Sequence, residues 1–393
     1  MKNELLSLLN KNLLAVEPSL IRKFDDEISK IPGIIKLTLG EPYFNTPDHI
    51  KIAGIKAIID NQTHYAPNRG IVELREAISE YLRRRHYAVS YDPQEQIIVT
   101  NGASEAISTA MNSFLGEGDV VLCPSPAFGL YRNLAKINGA RYIEIDTEDD
   151  KYELTPEKLK TYLDEYHTSV KMLVLNYPNN PTGVSYSENE IKKLAEVLEE
   201  YPIVVLSDEI YSELVYKKKH VSIASYLPEK TLLVNGVSKS YAMTGWRVGY
   251  LCGPREIITN LAKLHQANIA TIGTINMIAA AEGLVNGDDD IKVMRAEYEK
   301  KRDFVCKWLK KIGYSFIPTD GAFYIYIRLP LDFQGSSIDY ARTLAQRAHV
   351  AVIPGAAFAT QDQKYFRISY AVSDDKLTEA MKRLERFVKG REK

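Results

Sequence analysis

Along the 393-residue chain, short uninterrupted apolar runs alternate with longer stretches in which apolar residues return every three or four positions. The runs predict strands at 96–100, 120–123, 141–145, 171–176, 203–207, 231–235 and 248–252. Several show no polar alternation, the pattern of strands covered on both faces in a largely parallel sheet. Ahead of them, Thr46-Pro47 opens a helical pattern of Ile50, Ala53, Ala57 and Ile58, and 73–82 repeats it. Thr155-Pro156 marks another helix start, and Ser187 with Glu190 forms a capping-box pair ahead of Ile191, Leu194 and Leu198. The order of elements predicts an α/β fold.

Past residue 282 the texture changes. A charged helix over 294–311 precedes an aromatic alternating strand at 322–327, another helix, a short strand at 365–370 and a final helix. We expect a large domain at 46–282 and a smaller α+β domain from 283–393, completed by the N-terminal arm 1–45. The first residues, MKNELLSLLNKNLL, read as a mobile amphipathic start without a signal-type apolar block, and 268–281 is too short and too polar to span a membrane.

Charge and cysteine usage narrow the partners. Fifty Lys and Arg against 51 Asp and Glu leave a formal charge of −1, so no global field favours nucleic acid or anionic membrane. Cys123, Cys252 and Cys306 are odd in number and far apart, without metal-ligand spacing, as in a reduced cytoplasmic protein. No metal site is expected.

In open parallel sheets ligands bind beyond the carboxyl ends of the strands, so the residues just after each apolar run carry the candidate chemistry. Gly102-Ala103-Ser104 follows the first run and opens a helix, a geometry that suits a phosphate but is also mere turn chemistry. After the fourth run, 176–183 holds Asn179 and Asn180 between prolines, a rigid turn able to present an amide. The fifth run delivers Asp208, Glu209 and Tyr211; a carboxylate buried there requires a positive partner. The sixth leads into Gly236 and then Ser238-Lys239, with Arg247 further on. A lysine desolvated at such a place becomes a nucleophile for carbonyls, and an arginine suits a bidentate phosphate grip. An amine for an aldehyde, an acid for a ring nitrogen, donors for a phenolate and cations for a phosphate together describe the partners of pyridoxal 5'-phosphate.

At these residues the chain resembles the class I pyridoxal-phosphate aminotransferases of fold type I. The stretch 236–249 looks like their lysine attachment signature, and LGEP, YAPNRG, NNPTG, SDEIY and FRISY occur in that family's order, from Leu39 to the end. The texture is similar to bacterial aromatic amino acid aminotransferases and to N-acetyl-diaminopimelate aminotransferases. The resemblance implies that Lys239 bonds the cofactor and shuttles the substrate proton, and that Asp208 keeps the ring nitrogen protonated. Tyr211 and Asn180 would hydrogen-bond the phenolate oxygen, and Phe128 would stack on the ring. Gly102, Ala103, Ser104, Ser238 and Arg247 would hold the phosphate, with Tyr65 reaching over from the second subunit of a homodimer. Arg367 would clamp the substrate α-carboxylate, with Gly40 and Asn180 beside it.

Three departures stand out: Tyr43 where aspartate is frequent, Phe128 in place of tyrosine, and Gly236 where some relatives place serine. The implied activity moves the amino group of an L-amino acid to 2-oxoglutarate. An aromatic donor is implied by the texture of LTLGEP, LSDEIYSELVY and VNGVSKSYAMTGWRVGY and is compatible with Tyr43, Phe44 and Phe128, which stacking and core packing explain equally well. N-acetyl-diaminopimelate or aspartate as donor, or a carbon–sulfur lyase on the same lysine, are the alternatives. A DNA-binding regulator is disfavoured by the absence of a basic helix-turn-helix pattern before LGEP, and a Rossmann dehydrogenase by the absence of G-x-G-x-x-G.

Overall fold

The computed structural model describes residues 5–85 and 89–391. After a single helical turn, Lys11–Leu14, come helices α1 (Leu20–Ile28), α2 (Asp48–Ile59) and α3 (Val72–Arg85). Then strands and helices alternate: β1 (Ile97–Asn101), α4 (Ala103–Phe114), β2 (Val120–Ser125), α5 (Leu130–Ile137), β3 (Arg141–Asp146), α6 (Pro156–Tyr166), β4 (Val170–Asn176), α7 (Glu188–Glu199) and β5 (Val204–Asp208). Strand β6 (Thr231–Gly236) runs into one helical turn, Val237–Ser240, before β7 (Val248–Cys252), α8 (Arg255–Ile269) and α9 (Thr274–Asn286). The strands form one seven-stranded sheet in the order β1-β7-β6-β5-β4-β2-β3. Strands β2 to β6 are mutually parallel, and β7 lies antiparallel to both its neighbours, β1 and β6.

The unbroken apolar runs are explained by what covers the sheet. In β4, Met172 and Val174 enter a core shared with α4 and α5, while Leu173 and Leu175 enter a second core shared with α6 and α7. Both faces are buried, so a strand has no polar side to alternate with. The predicted caps form as well. Thr155 Oγ1 accepts from Lys158 N, and Ser187 and Glu190 cap each other's backbone. At α2 the expectation shifts by one residue: Pro47 is the N-cap, because Thr46 donates its hydroxyl to the Ala242 carbonyl and accepts from Trp246 Nε1.

A separate core gathers α10 (Asp288–Lys311), β8 (Tyr324–Arg328), α11 (Ser337–Thr343), β9 (Ile353–Pro354), β10 (Tyr365–Ser369) and α12 (Asp374–Arg391). Strands β9, β10 and β8 pair antiparallel, and Met294, Tyr298, Ile325, Ile327, Phe366, Ile368 and Leu384 fill the space between them and the helices. The N-terminal segment after residue 19 contributes to this core. Phe24 and Ile28 of α1 and Leu37 are buried in it, and Ile35–Lys36 pairs in parallel with Val350–Ala351. Among the described residues no helix is long and apolar enough to cross a membrane, and the three cysteines are free thiols.

Where α2, α9 and α10 meet, His49 Nδ1 lies 2.8 Å from Glu282 and its Nε2 2.9 Å from Asp290. Burial pushes the imidazole pKa down, but the two carboxylates outweigh it and raise it above the usual value. The stabilisation is therefore complete below the unfolded-state value and fades as pH rises through the folded one. With these side chains about a third exposed, we expect His49→Gln to cost about 0.5–1 kcal/mol at pH 6 and nearly nothing at pH 9, read from denaturant unfolding.

Candidate active site

The carboxyl ends of β4, β5 and β6, the N-terminus of α4, the inner ends of β8 and β10, and helix α1 surround one cavity of about 570 Å³. The crossover geometry of a parallel sheet brings these junctions together although they are far apart in sequence. Eleven of the residues singled out above line it: Gly40, Ala103, Ser104, Phe128, Asn180, Asp208, Tyr211, Ser238, Lys239, Arg247 and Arg367.

Asp208 ends β5, buried, where the strand runs out beneath the cavity. Tyr131 Oη donates to its Oδ2 at 2.5 Å and the Ile210 amide to its Oδ1 at 3.2 Å. Burial raises its pKa to about 6, more than these two donors lower it. The sequence argument required a positive partner for this carboxylate. Among the described residues no cation lies within ion-pair distance; Lys239 acts on it only from further off and does not offset the cost of burial.

Lys239 sits in the turn that follows β6, and its Nζ donates to the Gly40 carbonyl at 2.5 Å. Removal from water pushes its pKa down to about 8. Arg247 precedes β7 in a left-handed conformation, φ 56°, and donates to the carbonyls of Thr244 (3.1 Å) and Asn101 (3.2 Å). Gly102, the N-cap of α4, stands behind the cavity wall; a Cβ there would collide with the Arg247 guanidinium, so glycine lets the arginine reach the helix terminus. The first amides of α4 have no intrahelical partner and face the same space. At Gly236 a Cβ would stand 2.7 Å from the Val248 carbonyl oxygen, which explains the missing serine.

Arg367, on β10, is buried opposite Lys239. Its Nη1 donates to Asn180 Oδ1 and its Nη2 to the Thr38 carbonyl, both at 2.8 Å, and the guanidinium lies 4.2 Å over the Tyr324 ring. Its Nε is buried without a hydrogen-bond partner, a donor left for an incoming group. Asn180 is held by its own amide donating to Asn176 Oδ1 at 2.9 Å, and the Asn176 side chain donates to the Asp208 carbonyl. Tyr211 and Tyr324 share a hydroxyl–hydroxyl bond of 2.8 Å.

Tyr65 is elsewhere. It is 94% exposed and takes no part in this cavity. Tyr43 and Phe44, expected near an aromatic pocket, pack instead on Tyr298 of α10, with Lys301 over the Tyr43 ring at 4.4 Å. Of Tyr43, Phe44 and Phe128, only Phe128 lines the cavity. The sequence reading missed Tyr131, Asn176, Tyr324 and the α1 residues Ile21, Arg22, Asp25 and Asp26. Tyr131 follows Phe128 by three positions, a helical spacing that signals a shared face; nothing in the sequence of α1 separates its cavity side from its solvent side.

A family model described as aminotransferase class I and II matches residues 32–384. A probable N-acetyl-LL-diaminopimelate aminotransferase of Bacillus subtilis is 41% identical over 97% of this chain and 96% of its own. Aromatic-amino-acid aminotransferase 2 of Thermococcus litoralis is 37% identical over 97% of this chain and 98% of its own. The structure of aspartate aminotransferase from Thermus thermophilus with maleate superposes with a TM-score of 0.90 at 34% identity, covering 96% of this chain and 99% of that one. The chain therefore belongs to the class I and II aminotransferases, with the fold type I architecture and the pyridoxal 5'-phosphate dependence of that family.

The residues present fit the cofactor. A buried carboxylate without a cation matches a protonated ring nitrogen, a desolvated amine matches the aldehyde, and free helix amides beside an arginine match the phosphate. When bound, the group supplies an electron sink for the substrate α-carbon.

Because Asp208 is uncompensated in the cofactor-free chain, removing its charge relieves the fold. A folded value near 6 against the ordinary 3.8 means that the penalty is absent below about pH 4 and complete above about pH 7. We expect apo Asp208→Asn to be more stable than the parent by about 1–3 kcal/mol at pH 7, the gain vanishing near pH 4, in thermal or denaturant unfolding.

Proposed function

We propose that this aminotransferase moves the amino group of an aromatic L-amino acid to 2-oxoglutarate in two half-reactions at one cavity. The observation that carries the reading is that two desolvated groups of opposite charge, Lys239 and Asp208, line one cavity with Arg367. Lys239 Nζ, its pKa lowered toward neutrality by burial, is the group that takes a proton from the substrate α-carbon and returns it. Asp208 holds the ring nitrogen in its charged form, and Tyr211 and Asn180 orient the phenolate oxygen. The amides of Ala103 and Ser104, with Ser238 and Arg247, hold the phosphate beside Gly102. Arg367, with Nε still free, takes the substrate α-carboxylate next to Gly40, and its planar fork suits that group better than a lysine would.

Ile21, Leu39, Ile107 and Phe128 form an apolar wall that favours an aromatic donor over a charged one. The similarity to the Bacillus relative supports N-acetyl-diaminopimelate as the second reading.

The working unit in this proposal is a homodimer. Ile52, Ile55 and Ile59 expose one apolar face of α2, with the exposed Tyr65 a few residues beyond, and a second copy would cover this face and receive Tyr65 at its phosphate. Residues 46–282 act as the cofactor-binding domain, and 1–45 with 283–393 as the smaller domain that carries Arg367.

Half-reactions of the holoenzyme with single amino acids, followed by loss of the cofactor's visible absorbance, test the donor assignment. Phenylalanine and tyrosine should react at least about tenfold faster than aspartate or N-acetyl-diaminopimelate, a difference of about 1.4 kcal/mol in transition-state binding; equal rates overturn it. Lys239→Ala should reduce turnover by about 10²–10⁴ or more and abolish borohydride-fixed cofactor on the Lys239 peptide. In sedimentation, Ile55→Asp with Ile59→Asp should convert dimer to monomer and weaken cofactor binding.

A further inference from the structure

The cavity holds four cations: Lys239, Arg247, Arg367 and Arg22. The first three are accounted for by the amine, the phosphate and the α-carboxylate. Arg22 is not. It lies on α1, exposed to the cavity, and among the described residues it makes no ion pair or hydrogen bond. Nor is it consumed by its own helix: Asp26, one turn on and also at the cavity wall, forms no ion pair with it.

Its position is not accidental to a loose arm. Asp25, next to the cavity on the same helix, accepts from Thr38 Oγ1 at 2.9 Å through one carboxylate oxygen and from Lys36 Nζ at 2.9 Å through the other. Lys36 also donates to Ser29 Oγ at 2.7 Å. Thr38 in turn offers its carbonyl to Arg367 Nη2. One bracket thus ties α1 to the strand of chain that braces Arg367, and it aligns two arginines from different elements on one cavity, one deep and already oriented, the other at the wall and free.

We propose that Arg22 is a specificity residue that binds the distal carboxylate of a dicarboxylic substrate, the class to which 2-oxoglutarate and glutamate belong. This rests on the reading of Arg367 as the α-carboxylate clamp and deepens the choice of amino acceptor. A dicarboxylate anchored at Arg367 presents its second carboxylate some way up the cavity, where burial without a cation is costly and the apolar residues Ile21 and Leu39 offer no donor. A guanidinium with five donors and no partner of its own meets that need, and its long side chain leaves the wall apolar when an aromatic substrate occupies the same space.

The test compares parent, Arg22→Gln and Arg22→Lys holoenzymes. Equilibrium binding of glutarate and of 3-phenylpropionate, neither of which can react, is measured by calorimetry, and half-reaction rates are measured with glutamate and phenylalanine. A charge-assisted pair of this kind predicts that Arg22→Gln weakens glutarate by about tenfold to a hundredfold and lowers the glutamate-to-phenylalanine rate ratio by a similar factor, with Arg22→Lys intermediate. Equal loss for both ligands, or a ratio changed less than about twofold, overturns the assignment while the aminotransferase reading stands. A parent enzyme that reacts with no amino acid overturns both. Circular dichroism of each variant separates a folding defect, and Arg22→Lys, which keeps the charge and fold, then decides the outcome.

Discussion

Two ionisable groups held out of water, with opposite charges too distant to offset their burial, govern this molecule. Asp208 is raised toward 6 and Lys239 lowered toward 8, both chiefly by burial. A flexible site would relax by admitting water or swinging the side chains outward. Here the ends of adjacent parallel strands β5 and β6 fix both backbones, and Tyr131, Ile210 and Gly40 fix the side chains. A bound group of complementary charge would relieve these penalties and raise the stability of the fold with its affinity.

Rigidity beneath the site comes from a second buried carboxylate that is fully satisfied. Glu209 accepts from Ser207 (2.7 Å), Ser222 (2.6 Å) and His220 (2.7 Å), all buried. Adjacent acids thus meet opposite fates: Glu209, pointing away from the cavity, is locked by hydrogen bonds, whereas Asp208 is kept short of them. On the far side, His265 joins Glu105 in the first turn of α4 to the Asn68 carbonyl of the YAPNRG segment, at 2.8 and 2.9 Å, and Glu105 also accepts from the Asn101 amide. The α4 terminus at the cavity is thus braced from behind.

The smaller core contributes through a strand of chain that belongs to both parts. Residues 37–40 begin in that core with Leu37, support Arg367 through Thr38 and end at Gly40, whose carbonyl meets Lys239 and where a Cβ would crowd the Tyr324 hydroxyl. Through Asp25, Thr38 and Gly40, α1 and this segment are joined to both Arg367 and Lys239.

Much of this was legible from residue order. Unbroken apolar runs marked the doubly covered strands, Thr155 and Ser187 marked helix starts, and polar residues placed just after runs marked Asp208, Asn180 and Lys239, because period, capping and strand ends are local properties of the chain. Three things were decided only by tertiary structure. The reversed direction of β7 depends on how the chain crosses between neighbours, which no local period encodes. The departure of Tyr43 and Phe44 from the cavity depends on Tyr298, some 250 residues later. The role of α1 depends on which face of a short amphipathic helix meets a cavity built by other elements: its periodicity specifies that one side is apolar, and only packing determines what the polar side touches.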